Sequence, residues 1–242
     1  MTIIRSLFSP NYNKKKRSTK SIKIIVIHYT GMQSERESIK RLIDPNSKVS
    51  CHILINQKGE VFKMVEHERI AWHAGKSIWG EYKNLNYNSI GIELVNKGHK
   101  YGYENFKKKQ IKVLIKICKY LIKKYKIKSK NIVGHSDIAP LRKIDPGEKF
   151  PWKNLSKHKI GIWHSCNSKK IKKLRKNKKI SFEKKIEFFK NLKKIGYFIS
   201  LKKKGYLLKT IKAFQRHHRQ ELVNGILDLE CLEISRNLGK KC

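Results

Sequence analysis

The chain of 242 residues carries 58 Lys and Arg against 18 Asp and Glu, which gives a formal net charge of +40. Hydrophobic residues make up 39% of the chain, too many for a disordered protein and enough to build a core. No apolar run approaches the roughly 18–20 residues of a membrane span, and the stretch from Ile3 to Phe8 is too short for the apolar part of a signal peptide. We therefore expect no membrane span and a cytoplasmic location, with the periplasm as the alternative.

The excess of positive charge invites a nucleic-acid interpretation. Lysine occurs 48 times and arginine 10 times, and the lysines are spread along helix faces that are expected to face solvent. Base recognition and stacking favour arginine and aromatic side chains gathered in one patch. We therefore expect a solvated basic surface and no specific nucleic-acid site, although such a charge attracts any polyanion.

The first 160 residues alternate strand patterns with helix patterns. β-branched runs and one hairpin turn predict strands at 22–27, 49–56, 61–65, 89–95 and 131–134. Apolar residues at helical spacing predict helices at 34–42, with Ser34 as the N-cap, and at 106–125. This alternation predicts an α/β (α+β) fold, with a mixed central sheet flanked by helices.

After Trp152 the pattern changes to short helices. The run from Lys169 to Lys179 has eight basic residues and no acidic one, which predicts a basic linker over 161–180. Amphipathic patterns predict two or three further short helices, at 181–195, 208–218 and 228–238. We therefore expect a catalytic or binding domain over 1–160 and a small all-α domain over 181–242 that can be removed without unfolding the first.

The five cysteines are odd in number, widely spaced and without a CxxC pair. We therefore expect reduced, mostly buried thiols rather than disulfides or a thiolate zinc site. Cys51 and His52 are neighbours, but adjacent strand residues point to opposite faces, so they do not form a catalytic dyad.

Three possible metal ligands are expected just past strand ends: His28, His135 and Asp145. Two imidazoles and one carboxylate leave one position of a tetrahedral zinc ion open, which is the pattern of catalytic rather than structural zinc. The chain has ten histidines, so spacing alone does not select these three, and a core or surface role stays open for each.

Five stretches of the chain together resemble a known family. They are IVIHYTGMQS (25–34), VSCHILINQKGEVFKMV (49–65), RIAWHAG (69–75), NSIGIELVN (88–96) and VGHSDIAPLRKIDPGEKFPW (133–152). Residues 1–160 resemble the Amidase_2 family of zinc-dependent N-acetylmuramoyl-L-alanine amidases, of the AmpD/AmiD type. The resemblance implies cleavage of the amide between N-acetylmuramic acid and L-alanine in peptidoglycan or muropeptides, with Zn²⁺ as cofactor.

The resemblance also implies a role for individual residues. It implies zinc ligation by His28, His135 and Asp145. It further implies acid–base catalysis by Glu93 and transition-state stabilisation by Lys143, and it places His73 and Trp72 in the substrate cleft. Some relatives of phage type carry a tyrosine before the histidine of the second stretch, but Cys51 stands there in this chain, so the acid–base role falls on Glu93 alone.

The residues themselves leave simpler readings open. Glu93 lies in the apolar run from Ile90 to Ile92, where an idle buried carboxylate is costly, although a solvent-facing strand residue is the alternative. Lys143 lies two residues before Asp145, so both side chains point the same way in an extended stretch. Without the motif, Lys143 reads as one more surface lysine.

The tail carries a second resemblance. FFKNLKKIGYFI (188–199), IKAFQRHH (211–218) and VNGILDLECLEI (223–234) resemble a degenerate peptidoglycan-binding domain of the three-helix kind. The leading hypothesis is therefore a zinc amidase of cell-wall turnover, expected to be a monomer. A non-catalytic peptidoglycan-binding protein on the same fold and a basic nucleic-acid-binding protein are the alternatives.

Overall fold

The computed structural model describes residues 3–201 and 204–242. Within these ranges the chain forms ten strands: β1 (Ile3–Ser6), β2 (Tyr12–Asn13), β3 (Ile24–Tyr29), β4 (Ile53–Ile55), β5 (Val61–Lys63), β6 (Ile70–Ala71), β7 (Ile78–Trp79), β8 (Tyr82–Lys83), β9 (Ser89–Leu94) and β10 (Ile132–Gly134). Eight α-helices of the same ranges are α1 (Glu35–Ile43), α2 (Lys108–Tyr125), α3 (His135–Ile138), α4 (Trp152–Ser156), α5 (Ser168–Lys173), α6 (Phe182–Ile195), α7 (Tyr206–His218) and α8 (Leu229–Gly239).

The central sheet is mixed and has six strands in the order β1-β5-β4-β9-β3-β10. Strands β4, β9, β3 and β10 are parallel to one another, whereas the hairpin strand β5 is antiparallel to β4. The predicted fold class, a mixed sheet with flanking helices and a helical tail, is confirmed. Strand β3 begins two residues later than predicted and contains His28, since its pairing with β9 runs from Ile24 to Tyr29.

Successive side chains of a strand point to opposite faces of the sheet, and each face packs against its own hydrophobic core. Ile25 and Ile27 of β3 and Ile90 and Ile92 of β9 face one side, where they pack with the apolar face of α2. Ile24 and Val26 face the other side, together with the apolar residues of the tail helices. His28 and Glu93 fall on this second side by the same alternation, so the candidate site and the tail lie on one side of the sheet.

Helix ends follow the local cap chemistry that the sequence predicts. The hydroxyl of Ser34 accepts from the backbone N–H of Glu37 at 3.1 Å, and Ser34 caps α1. Ser181 and Asp228 cap α6 and α8 in the same way, accepting from the backbone of residues three positions later. Helices α6 and α8 therefore begin within one residue of their predicted starts, whereas α7 begins at Tyr206, two residues before its predicted start.

The segment 161–180 is not a bare linker. It contains α5, and Ile171 of that helix is buried in the same hydrophobic cluster as Phe188 and Phe214 of the tail. The charge count misleads here because the lysines of the segment are exposed and a single apolar residue per turn anchors it. This cluster also includes Val26 and Ile138 of the first 160 residues, so the packing argues against a freely removable tail, and the domain boundaries themselves stay predictions.

In the described ranges, no helix has both the length and the apolar composition that crossing a bilayer requires. All five cysteines are free within those ranges, and Cys51, Cys118 and Cys231 are buried.

Candidate active site

The register of the parallel strands brings the site residues together at one sheet edge. His28 near the end of β3 pairs directly with Glu93 near the end of β9. Strand β10 pairs with β3 on the other side, and His135 follows β10 at once as the first residue of α3. The carboxyl ends of neighbouring parallel strands are where open α/β sheets place their ligands. His28, His135 and Glu93 are therefore neighbours although they are up to 107 residues apart.

Asp145 is expected just past a strand end, but it lies in the loop between α3 and α4. Its backbone carbonyl accepts from the N–H of Ser136 at 2.9 Å, which ties the loop to the first turn of α3. Gly134 allows this close approach, since a Cβ there would meet the ring of Pro146 at 2.6 Å. The loop therefore returns the Asp145 carboxylate to the end of β10.

Three buried side-chain atoms form a small triangle. His28 Nδ1 lies 3.0 Å from His135 Nδ1, and Asp145 Oδ2 lies 3.0 and 3.1 Å from these two nitrogens. His135 Nε2 lies 3.2 Å from the carbonyl oxygen of Ala74, and the tautomer with its proton on Nε2 donates to this acceptor. His135 Nδ1 is therefore left with a free lone pair that points into the triangle.

A chain of hydrogen bonds likewise determines which ring nitrogen of His28 carries the proton. The hydroxyl of Ser89 donates to the carbonyl of Leu85 at 2.6 Å, so it accepts from Nε2–H of His73 at 3.1 Å. His73 Nδ1 then accepts from Nε2–H of His28 at 3.0 Å. Burial lowers the pKa of His28 to about 4, so the ring is neutral at pH 7 and its Nδ1 carries a lone pair.

With both ring protons on Nε2, the triangle brings three acceptor atoms together. Three facing lone pairs repel unless a cation lies between them. A tetrahedral ion with ligand bonds of about 2.0–2.1 Å separates its ligand atoms by about 3.3 Å, close to the observed separations. His28, His135 and Asp145 could thus hold a metal ion.

Glu93 lies beside the triangle with an unused acceptor. Its side chain is half-buried, and its Oε2 is buried without a hydrogen-bond partner among the described residues. Burial raises the pKa of the Glu93 carboxyl to about 8, and the charge of Asp145 adds to the rise while Lys143 opposes it. A carboxyl with this pKa is able to accept and return a proton near neutral pH.

A cavity of about 510 Å³ opens over these residues, within the usual size of ligand pockets. Lys143 and Trp72 line it, together with the triangle, His73 and Glu93. Three further cationic side chains line it as well: Arg41, Lys100 and Arg142. The cavity is therefore suited to a ligand that carries carboxylates.

Trp72 and His73 have different positions in the site. The indole N–H of Trp72 donates to Asn13 at 2.6 Å, which holds the ring at the cavity wall. His73 is buried and packs on Gly91, where any Cβ would overlap its ring. His73 is therefore a partner of His28 more than a residue of the cleft surface.

Cys51 and His52 form no dyad, as predicted. His52 Nδ1 accepts from the backbone N–H of Gly91 at 3.0 Å, which gives this ring a structural role in the sheet. Burial raises the pKa of the Cys51 thiol, so the thiolate that a nucleophile needs is disfavoured.

The sequence predicts no role for two further residues of the site, Ser89 and Arg142. Ser89 orients His73 through the sheet, and the guanidinium of Arg142 donates to the carbonyls of Ala74 and Lys76 beside His135. A serine or arginine with these roles has no local sequence pattern, because each partner comes from a distant loop.

Residues 18–148 of the chain match the family model of N-acetylmuramoyl-L-alanine amidases. The match spans more than half of the chain and includes every residue of the triangle and both predicted catalytic residues. The chain belongs to the N-acetylmuramoyl-L-alanine amidase family. The amidase thus has the activity class that the sequence motifs predict.

Individual relatives extend this likeness beyond the matched region. The amidase is 35% identical to N-acetylmuramoyl-L-alanine amidase AmiD of Escherichia coli over 91% of its own length and 83% of that protein. It is 32% identical to 1,6-anhydro-N-acetylmuramyl-L-alanine amidase AmpD of Haemophilus influenzae over 63% of its own length and 90% of that protein. The AmiD alignment therefore reaches into the helical tail.

A solved structure gives the same result. The structure of E. coli AmiD in complex with anhydro-N-acetylmuramic acid-L-Ala-D-γ-Glu-L-Lys superposes with a TM-score of 0.79 and 32% identity. It covers 95% of the amidase and 92% of the AmiD chain. The sheet and the helical tail thus share one arrangement with that enzyme.

Proposed function

We propose that the amidase hydrolyses the amide bond between the lactyl group of N-acetylmuramic acid and L-alanine, in peptidoglycan or its muropeptide fragments. The observation that carries this proposal is the juxtaposition in one cavity of the three-acceptor triangle and the unpartnered Oε2 of Glu93. The reported substrate of E. coli AmiD, a muropeptide with this bond, supports the assignment. A binding protein of the same fold has no need of such a set.

We propose that the metal ion is Zn²⁺, held by His28, His135 and Asp145. Two imidazoles and a carboxylate are the donor set of catalytic zinc, with one position left for water or substrate. When bound, the ion supplies Lewis-acid polarisation and makes water acidic enough to react near pH 7. The hydrogen bonds from His28 to His73 and from His135 to Ala74 keep both Nδ1 lone pairs directed at the ion.

Glu93 carries the proton in this mechanism. Its Oε2 takes a proton from the attacking water and later delivers it to the nitrogen of the leaving L-alanine. The raised pKa of Glu93 suits both steps, because a group with a pKa near the working pH is effective as base and as acid. The leaving amine needs this proton, since an amide nitrogen is a poor leaving group without it.

Lys143 and the cationic rim act on the substrate. The ammonium group of Lys143 lines the same cavity as Glu93 and stabilises the negative charge that develops on the carbonyl oxygen. Arg41, Lys100 and Arg142 are placed to attract the carboxylates of the peptide stem. The cavity thus presents positive charge to the scissile carbonyl oxygen and to the carboxylates of the peptide stem.

Zinc removal and replacement tests the proposal. The amidase is stripped with a chelator, and a defined anhydro-muropeptide is incubated with stripped, zinc-reloaded and magnesium-loaded protein. We expect release of the L-Ala-headed peptide by the zinc-reloaded sample alone, detected by mass spectrometry. Equal release by the stripped protein would contradict the role given to zinc.

We also propose that the amidase acts in the cytoplasm. Its five free thiols, including the exposed Cys242, are compatible with a reducing compartment. Cell fractionation with antibody detection tests this location, and recovery in the periplasmic fraction would contradict it.

A further inference from the structure

A buried carboxylate joins the tail to the helix that carries His135. Asp137 lies two residues after His135 in α3 and is 2% exposed. Its Oδ2 accepts from the backbone N–H of Gly134 at 2.8 Å and from His217 Nδ1 at 2.7 Å, and its Oδ1 accepts from the hydroxyl of Tyr197 at 2.7 Å. Two of these three donors therefore come from the tail.

These contacts matter because a buried carboxylate needs its partners. A carboxylate removed from water is strongly destabilised unless donors replace the lost hydration. Without Tyr197 and His217, one backbone N–H would remain as the hydrogen-bond partner of Asp137 in the described structure. The first turn of α3, and with it the direction of the His135 ring, then depends on the tail.

Contacts between the tail and the β7–β8 hairpin fix the position of Tyr197. Gly196 has φ of 137°, and a Cβ there would overlap the ring of Trp79. The backbone N–H of Gly80 donates to the carbonyl of Gly196 at 2.6 Å, and the rings of Trp79 and Tyr197 meet edge to face at 4.9 Å. The β7–β8 hairpin thus holds the Tyr197 hydroxyl against Asp137.

A second attachment reaches the loop of Asp145. The side-chain amide of Gln220, just beyond α7, donates to the carbonyl oxygens of Glu148 at 2.7 Å and of Phe150 at 2.5 Å. The ring of His217 stacks on Trp152 at 3.8 Å between centroids. The tail therefore contacts the backbone three and five residues after Asp145, as well as α3.

We propose that Tyr197, His217 and Gln220 are positioning residues, through which the helical tail orients two of the three metal ligands, His135 and Asp145. The inference rests on the metal site of the proposed function. It gives the tail a role in metal affinity that is separate from any binding of the cell wall. Neither Tyr197 nor Gln220 lines the cavity or touches a ligand side chain, so neither is a catalytic residue.

The test uses the full chain with Tyr197→Phe, which removes one hydroxyl and keeps the ring against Trp79. Tyr206→Phe is the matched control, because Tyr206 is a buried tyrosine of the tail whose hydroxyl makes no hydrogen bond in the described structure. Zinc affinity is measured by competition with a chromophoric chelator at a temperature where circular dichroism shows each metal-free protein to be folded. We expect zinc binding by Tyr197→Phe to weaken several-fold, less than the roughly 10–100-fold lost on removing a direct partner of a metal ligand, and we expect no change for the control.

If Tyr197 only stabilises the fold, Tyr197→Phe will unfold at a lower temperature than the parent while its folded form binds zinc with unchanged affinity. That result would overturn the inference. If Tyr197→Phe does not fold, the same measurement on Gln220→Ala decides, with weaker zinc binding expected and an unchanged affinity contradicting the inference. Parent protein that binds no zinc would instead refute the proposed function. The two failures are therefore distinguishable in one experiment.

Discussion

Replacing Glu93 by glutamine separates proton transfer from every other role of this side chain. Glutamine keeps the shape and one acceptor oxygen but takes up no proton at neutral pH. General acid–base assistance is worth about 10²–10⁴-fold, or roughly 3–5 kcal/mol of the barrier. We expect turnover of a muropeptide to fall by this factor, while zinc content stays at the parent value because Glu93 is not a ligand.

The same variant is expected to be more stable than the parent at neutral pH. The pKa of Glu93 is raised from 4.5 to about 8 in the folded protein, so the folded state holds the proton more tightly than the unfolded state. Stability is then fully present below pH 4.5 and is lost as the pH rises towards 8. At pH 7 this loss amounts to at most about 3 kcal/mol, at about 1.4 kcal/mol per pKa unit, and the glutamine variant does not suffer it.

The measurement is thermal unfolding of metal-free parent and Glu93→Gln between pH 4 and 8. Metal-free protein is required because a bound cation would itself lower the pKa of Glu93. We expect similar unfolding temperatures near pH 4 and a growing advantage for the variant above it, at about 2–4 °C per kcal/mol for a chain of this size. Glu81→Gln, at an exposed turn, is the control and should show no such trend. A variant that cleaves at the parent rate, or whose advantage does not grow with pH, would refute the reasoning.

Four further substitutions test other parts of the site. His28→Ala and Asp145→Ala should each lose the zinc, because one of three protein ligands is gone; full occupancy in elemental analysis would show that the ligands are misassigned. Lys143→Ala should lower turnover by about 10²–10³-fold with zinc retained, as expected for an oxyanion-stabilising group; an unchanged kcat would remove Lys143 from the mechanism. Ser89→Ala should weaken zinc binding about tenfold by freeing the proton position of His73. Ser235→Ala, at a buried serine of α8 that does not line the cavity, is its control, and equal affinities of Ser89→Ala and the parent would show that the hydrogen-bond chain to His28 is unimportant.

Local chemistry made much of the fold predictable. Ser34, Ser181 and Asp228 cap their helices where the sequence places them, because a cap depends on residues within one turn. The apolar runs in β3 and β9 likewise predict buried strands, and both strands carry buried residues on both faces. Parallel pairing of β3 with β9 places Glu93 beside His28.

Long-range contacts were beyond the sequence patterns. Asp137 is 80 residues from His217 and 60 from Tyr197, so nothing in the local sequence of α3 indicates that the tail completes its hydrogen bonds. The lysine-rich segment around Ile171 was interpreted as a linker because charge outweighs one apolar residue in a composition count, although that residue is buried. The position of Asp145 depends on loop closure through Ser136, which no periodicity encodes.

The most direct test of the central claim is hydrolysis of a defined anhydro-muropeptide in water enriched in ¹⁸O, followed by mass spectrometry of both products. The proposed mechanism places the oxygen of water on the muramoyl carbonyl carbon. We therefore predict ¹⁸O in the carboxylate of the anhydro-muramic acid product, an unlabelled L-Ala-headed peptide, and no product from the stripped protein. Label in the peptide, cleavage at a glycosidic bond, or an intact muropeptide after incubation with zinc-loaded protein would contradict the assignment.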